Sequence, residues 1–338
     1  MRLYGGIDLH SNNHMVTLID EQDRRVFERR LGNDIELTRR TLEPFREHLV
    51  AIAVESTFNW YWLVDGLMDS GYELRLVNTA AVQHYSGLKH CDDRHDARWL
   101  AHLLRLGILP TGYIYPKEQR AVRDLARQRL RLVQLRSAEV TALQNRIWRS
   151  TSIKVCARIL KGRSDEGWPA LNSEELRTGV ASARRVIATL NDEIEQLEQQ
   201  VLERVKLDEP YRNLMTVNGI GPILALTIML EVGPITRFAS VGQFASYCRC
   251  VESIHSSNGK KKGEGNRKNG NPHLAWAFHE AAHFAVRYLP AAQRFYARKA
   301  RERNSIVAMK ALAHKLARAC YYVLRDGVPF VPERLFGS

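Results

Sequence analysis

Three runs of strand character stand one after another at the start of this chain, at residues 3–9, 14–20 and 26–31, with only short polar turns such as Ser11-Asn12-Asn13 between them. After them the apolar spacing changes. A helical pattern at 35–49, with Leu37, Leu42, Phe45 and Leu49 on one side, leads to a strand at 50–54. A helix at 60–69, a strand at 73–77 and a helix at 94–106 follow. Three strands in a row and then helix-linked strands predict a mixed sheet flanked by helices.

That order is the order of an RNase H-like fold, in which the fourth strand runs parallel beside the first. The ends of those two strands would then meet. Asp8 lies in Tyr4-Gly5-Gly6-Ile7-Asp8-Leu9-His10, and Glu55 ends the apolar run Val50-Ala51-Ile52-Ala53-Val54. Asp93 and Asp96, three residues apart, share one face of the last helix and would look towards them. Acids at the ends of buried strands are costly unless something positive meets them. Four converging carboxylates suit divalent cations, and a pair of Mg²⁺ ions can clamp the attacking and leaving oxygens of a phosphodiester. Asp92 stands four residues from Asp96 and would serve almost as well sterically. His10, His95 and His255 sit beside these motifs and read as phosphate contacts or packing residues rather than bases or ligands.

The rest of the chain is basic. Its 338 residues carry a net charge of +13, which favours a polyanionic partner, nucleic acid first. A basic protein without such a partner is the plainer alternative. No basic amphipathic terminal helix stands out for a membrane surface, and no apolar run approaches the ~20 residues of a membrane span. The five cysteines are scattered, which fits a reducing cytoplasm, and Cys248-Arg249-Cys250 is too tight for the usual zinc spacing. The first strand begins almost at Met1, so no signal peptide is expected.

Two prolines and a glycine between Leu109 and Pro116 mark a boundary. Beyond it about 35 residues read as one helix with an apolar stripe of Val122, Leu125, Leu132, Val133, Val140, Leu143 and Ile147. Its other faces carry Arg120, Arg123, Arg127, Arg129, Arg131, Arg136, Arg146 and Arg149 with few balancing acids, an expected nucleic-acid contact. A second long helix over 173–207 repeats Val186, Leu190, Ile194, Leu197, Val201 and Val205 at coiled-coil spacing, so the two form an antiparallel hairpin. From about residue 209 the chain is mostly helical, with short or long helices over 238–247, 273–288 and 305–324. Asn218-Gly219-Ile220-Gly221 reads either as a phosphate-binding helix–hairpin–helix turn or as an ordinary glycine-rich turn.

Residues 255–270 form a loop without an apolar side chain: His255-Ser256-Ser257-Asn258-Gly259 followed by Lys260, Lys261, Lys262, Gly263, Glu264, Gly265, Asn266, Arg267, Lys268, Asn269 and Gly270. Such a loop inside a compact domain is functional or disordered. Its cations would hold phosphates, and its serines would need a base or metal to act as nucleophiles. On these residues alone, a flexible basic loop with ordinary serines is the better explanation.

Together these marks resemble the DEDD transposases of bacterial insertion sequences, whose studied members are recombinases guided by a bridge (seeker) RNA. The marks are Gly6-Ile7-Asp8, Val54-Glu55-Ser56-Thr57, Asp93-Arg94-His95-Asp96-Ala97-Arg98, Asn218-Gly219-Ile220-Gly221, Gln243-Phe244-Ala245-Ser246-Tyr247, the serine–lysine loop and Gly327-Val328-Pro329-Phe330. The resemblance covers essentially the whole chain. It implies an α/β plus α architecture: an RNase H (RuvC)-like domain over 1–113, a coiled-coil hairpin over 114–208 and a mostly helical C-terminal transposase domain over 209–338. It implies that Asp8, Glu55, Asp93 and Asp96 bind Mg²⁺, two ions in all, and that Ser257, with Ser256 as the fallback, attacks the scissile phosphate to form a covalent protein–DNA intermediate. Asn218 stands where the family often has Pro, which weakens the helix–hairpin–helix reading, and Asn258 stands where it often has Gly, so the choice between the serines stays open. Arg120, Arg123, Arg127, Arg131, Lys260, Lys261, Lys262, Arg267 and Lys268 would hold nucleic acid. The implied partners are donor and target DNA, an element-encoded guide RNA and further copies of the chain, a dimer assembling to a tetramer on DNA in the bacterial cytoplasm, with no membrane. Two other readings remain: a junction nuclease that uses water, and a non-catalytic RNA-binding scaffold.

Overall fold

In a computed structural model, residues 1–82, 92–162, 164, 166–205, 208–251, 254–258, 260–264 and 269–336 are described, with backbone alone at 254–257 and 261–264. The chain divides into two compact units, Met1–Lys117 and Glu118–Ser338.

The first unit holds a five-stranded sheet in the order β3-β2-β1-β4-β5. Strands β1 (Leu3–Leu9), β2 (Asn13–Ile19) and β3 (Arg25–Gly32) pair antiparallel in sequence; β4 (Leu49–Glu55) lies parallel to β1, and β5 (Leu74–Val77) parallel to β4. Period-two alternation sends the two halves of each strand to opposite faces. Ile7, Leu9, Val16, Leu18, Ile52 and Val54 join Leu42, Leu63 and Leu67 in one core, under α1 (Ile35–Leu42) and α2 (Tyr61–Asp69). After the one-turn helix α3 (Thr79–Val82), helix α4 (Asp93–Arg105) packs against the other face, where Ala53 and Val77 meet Leu100.

The seat of α4 depends on one glycine. A Cβ at Gly6 would collide with the carbonyl oxygen of Ala97 and lie 2.8 Å from the amide of Ala101. Helix and strand therefore touch backbone to backbone, at the fully buried Ala97 and Ala101. The helix expected over 35–49 is shorter than its apolar spacing suggested. It is capped by Asp34 and stops at Leu42, and Pro44 opens a short 3₁₀ segment, Glu43–His48, because proline cannot continue the preceding hydrogen-bond ladder.

The second unit begins with a helical hairpin. Helix α5 (Lys117–Thr151) and helix α7 (Glu174–Arg204) flank the short α6 (Ala157–Lys161). They run antiparallel: Arg129 pairs with Glu198, Arg136 donates to Asn191 at 2.8 Å, and Arg146 donates to the Gly179 carbonyl at 3.0 Å. On α7 the buried residues Val180, Ile187, Ile194 and Val201 are spaced by sevens, as an interhelical seam requires. Val186, expected in that seam, is 47% exposed, and Ile187 takes its place.

Helices α8 (Glu209–Met215), α9 (Pro222–Val232) and α10 (Val241–Tyr247) lead to a hairpin of β6 (Ile254–Ser257) and β7 (Lys260–Glu264). Helices α11 (Pro272–Tyr288), α12 (Pro290–Glu302), α13 (Ser305–Asp326) and α14 (Pro332–Phe336) complete the unit. Phe244 and Phe278 are the largest side chains fully enclosed in its core. Helix α12 was not anticipated: of its residues only Ala292 is buried, so it has almost no apolar period to read. Gly219 has φ +97°, and a Cβ there would strike the carbonyl of Ala281 in α11. The glycine turn thus serves close helix packing rather than an open phosphate cradle. Among the described residues, no helix is long and apolar enough to cross a membrane.

Candidate metal centre

Strand alternation decides which acids can meet. With Ile7 and Leu9 turned to the α1–α2 face, Gly6 and Asp8 turn to the α4 face; with Ile52 and Val54 on the first face, Ala53 and Glu55 share the second. Ile7 and Val54 are parallel neighbours, so Asp8 and Glu55 stand at adjacent strand ends. The first turn of α4 brings Asp93 and Asp96 to the same place, over the contact that Gly6 permits.

The charges there are crowded. Asp8 is 3% exposed. Glu55 is pushed up to about 8, first by burial, then by its hydrogen bond with Asp8 and by the charges of Asp8 and Asp96. Near neutral pH Glu55 therefore keeps its proton and donates it to Asp8. Asp96 is also raised, by burial and then by Asp8. Asp93 behaves oppositely: its hydrogen bond from Arg30 (Nη2 to Oδ2, 2.6 Å) holds it below the usual carboxylate range. Asp92 is engaged otherwise, although its charge adds to the crowding at Asp96. It caps α4, accepting from the His95 amide at 2.9 Å, whereas Asp93 lies 3.3 Å from His10 Nε2.

One residue read otherwise in the sequence, and one not read at all, belong here. His10 Nε2 lies 3.1 Å from Asp8 Oδ2 and 3.3 Å from Asp93 Oδ1, so His10 is inside the cluster rather than beside it. Asp8, His10 and Asp93 each offer a ligand atom, all within 4.8 Å of one another. Asp8 Oδ2 and His10 Nε2 are buried yet neither makes a hydrogen bond of acceptable geometry, although they face each other. A buried anion oxygen and an imidazole nitrogen left in this state fit a cation between them. The His10 carbonyl accepts from Asn33 Nδ2 and Asn59 Nδ2, both at 3.0 Å, and Thr57 donates to Asn59 at 2.9 Å. These bonds tie the segment after β4 to the end of β1. Arg30, on β3, was not singled out; the period-two face of β3 relative to Asn13, which accepts from it at 2.8 Å, is the signal that could have found it.

The expected nucleic-acid residues divide. Arg120 and Arg123 are 3% and 5% exposed, enclosed within the second unit instead of forming a solvated phosphate surface. Arg127 donates twice to Glu231, at 2.6 and 2.8 Å, so it too is occupied in packing. Only Arg131 of the four stays exposed. Lys260 is exposed at the start of β7, and Lys261 and Lys262 follow it in that strand. Arg267 and Lys268 lie outside the described residues. Ser256 and Ser257 are strand positions paired with Lys261 and Lys260, so the segment read as a loop contains a β-hairpin; it turns at Asn258, whose φ is +51°. The Asn-Gly dipeptide there is a hairpin signal that the surrounding lysines obscured.

A buried acid cluster on a mixed α/β sheet in a basic chain is suited to metal-assisted chemistry on nucleic acid, and transposases are the proteins it matches. A DEDD transposase profile of the IS110 type matches residues 5–147, and the profile described as the transposase IS116/IS110/IS902 family matches residues 211–297. A probable family 20 transposase of Pseudomonas aeruginosa is 26% identical over 336 residues, covering 94% of this chain and 96% of that protein. The transposase for insertion sequence element IS1111A of Coxiella burnetii is 23% identical over 336 residues, covering 96% and 87%. The transposase for insertion sequence element IS1328 of Yersinia enterocolitica is 27% identical over 146 residues, 42% of this chain and 43% of its own. The chain belongs to the IS110 family of insertion-sequence transposases, enzymes that act on DNA.

Proposed function

We propose that this chain is an RNA-guided DNA transposase that excises and inserts its own mobile element. The observation that carries the reading is the convergence of Asp8, Glu55, Asp93 and Asp96 at the ends of β1 and β4 and the start of α4. The sheet order supports an RNase H (RuvC)-like assignment for residues 1–113, with the hairpin over 114–208 and the transposase domain over 209–338 as the further divisions.

Asp8, Glu55, Asp93 and Asp96, with His10, are the residues that would hold Mg²⁺. Bound there, two such ions would supply positive charge to the phosphate and favour ionisation of an attacking hydroxyl. The chain's own part is to gather the anions and to give up the Glu55 proton. Arg30 fixes the orientation of Asp93. Ser257, with Ser256 as the alternative, is the proposed nucleophile: its Oγ bonds to phosphorus as the DNA oxygen leaves, and the resulting phosphoserine ester conserves the bond for rejoining. Lys260, Lys261, Lys262, Arg267 and Lys268 would position the DNA backbone. A folded guide RNA would be held by shape and phosphate charge, leaving DNA sequence to be read by base pairing. Copies of the chain would assemble as a dimer and then a tetramer on DNA.

The test is a denaturing gel. Protein, the element's non-coding RNA and Mg²⁺ are incubated with labelled donor and target DNA, using wild type, Ser257→Ala, Ser256→Ala and Asp8→Ala. The expected result is an adduct that survives denaturation, is lost in Ser257→Ala and Asp8→Ala, and persists in Ser256→Ala. Clean cuts without an adduct in any variant would replace the serine with water as the nucleophile, and RNA-independent cutting would remove the guide.

A further inference from the structure

Helix α11 carries the sequence His279-Glu280-Ala281-Ala282-His283, two histidines one turn apart with a glutamate after the first. Residues at this spacing lie on one helix face. Here both rings are exposed, and their Nε2 atoms stand 3.2 Å apart with ring centroids at 4.8 Å. Two imidazole nitrogens on a tetrahedral Zn²⁺, each at the usual bond length, are separated by about 3.3–3.4 Å. The rings are thus already set at close to the edge length of a tetrahedral site, on a rigid helix. Without a cation, one ring donates its Nε2–H to the other; a cation takes the place of that shared proton.

We infer that His279 and His283 form a two-histidine clamp for a borderline divalent cation of the Zn²⁺ class, a second metal site chemically distinct from the acid centre. Nitrogen ligands select zinc, nickel and copper over magnesium, whereas the first unit's centre, with four carboxylates to one imidazole, suits Mg²⁺ better. Metal binding needs neutral imidazoles. Burial, and then the proximity of His283, hold His279 below its ordinary value; Lys310 adds to this, and Glu280 opposes it.

The same spacing on a helix is a zinc-hydrolase signature, in which the glutamate acts as base and a third ligand completes the site. Among the described residues, no third histidine, cysteine or carboxylate joins this pair. The inference is therefore cation binding with open coordination positions, not hydrolysis.

Full-length chain carrying Asp8→Asn and Asp93→Asn, so that the acid centre does not compete, is stripped with chelator and titrated with Zn²⁺ by calorimetry. The same chain with His279→Gln or His283→Gln is measured beside it. The expected result is one Zn²⁺ per chain, undisturbed by excess Mg²⁺, and an affinity lower by about tenfold or more in either histidine variant. Co²⁺ added to the parent chain should give the visible absorption of a tetrahedral, nitrogen-ligated ion, a readout that does not depend on the histidine variants folding. No Zn²⁺ binding, equal affinity in the histidine variants, displacement by Mg²⁺, or an octahedral Co²⁺ spectrum would each overturn it. None of these outcomes bears on the serine–DNA adduct.

Discussion

Each unit of this chain buries carboxylates, and it treats them in opposite ways. In the second unit Glu231, 2% exposed, meets two hydrogen bonds from Arg127 and one from Asn271 Nδ2 at 2.7 Å. Burial alone would raise its affinity for a proton, but these partners outweigh it and hold the group below the usual glutamate range. In the first unit Asp8, Glu55 and Asp96 are gathered against one another, and the proton on Glu55 serves as the stand-in positive charge. One cluster is complete within its unit; the other is electrostatically unfinished and needs something from outside. A buried charge that its neighbours satisfy serves the fold, while one that its neighbours aggravate marks a site where binding repays the cost.

The contrast can be broken by moving stability and activity separately. The largest effect is expected from Asp8→Asn: DNA cleavage should fall by at least about 10²-fold, while thermal stability holds or rises because a like-charge contact is relieved. Gel-based strand cleavage beside a melting curve checks both, and a large loss of stability would mean that Asp8 is a structural acid like Glu231. Glu231→Ala should do the reverse, costing about 3–5 kcal/mol in denaturant unfolding, since it removes the buried acceptor of two Arg127 hydrogen bonds and one from Asn271. A cost below 1 kcal/mol would show that the cluster is dispensable.

Gly6→Ala lies between these. It should destabilise the first unit by about 1–3 kcal/mol and, by lifting α4 from β1, also impair cleavage. Normal activity in a destabilised variant would separate the seat of α4 from the placement of the acids. The smallest effect is on pH dependence. Glu55 rises from an ordinary 4.5 to about 8 on folding, so the metal-free fold loses stability through this group as pH climbs between those values. Mg²⁺ must displace that proton, so its gain in melting temperature should be larger at pH 9 than at pH 6, and absent in Glu55→Gln. An equal gain at both pH values would place the ion elsewhere.

Much of the first unit was legible. The strand order and the parallel pairing of β1 with β4 follow from how short and helical connections can be wound, and Asp8 and Glu55 stand out because acids rarely end apolar strands. The role of His10 was not legible, because it depends on how the chain curls after β1 under the pull of Asn33 and Asn59, residues distant in sequence. Arg120 and Arg123 misled for a related reason. Arginine on a long helix is ordinarily solvated, and the tertiary packing that buries these two leaves no mark in the helix's own sequence. At 254–264 the lysines pointed to a loop, while the backbone forms a hairpin that needs no apolar side chain to define its turn.

Helix α5 continues for 35 residues without a break, a rod about 50 Å long, and α7 is strapped along it by the Arg129, Arg136 and Arg146 contacts. That span equals about fifteen base pairs of duplex, roughly one and a half turns. Two helices held along each other resist bending far better than one, so the turn through α6 is carried at the far end of a stiff arm rather than on a flexing chain.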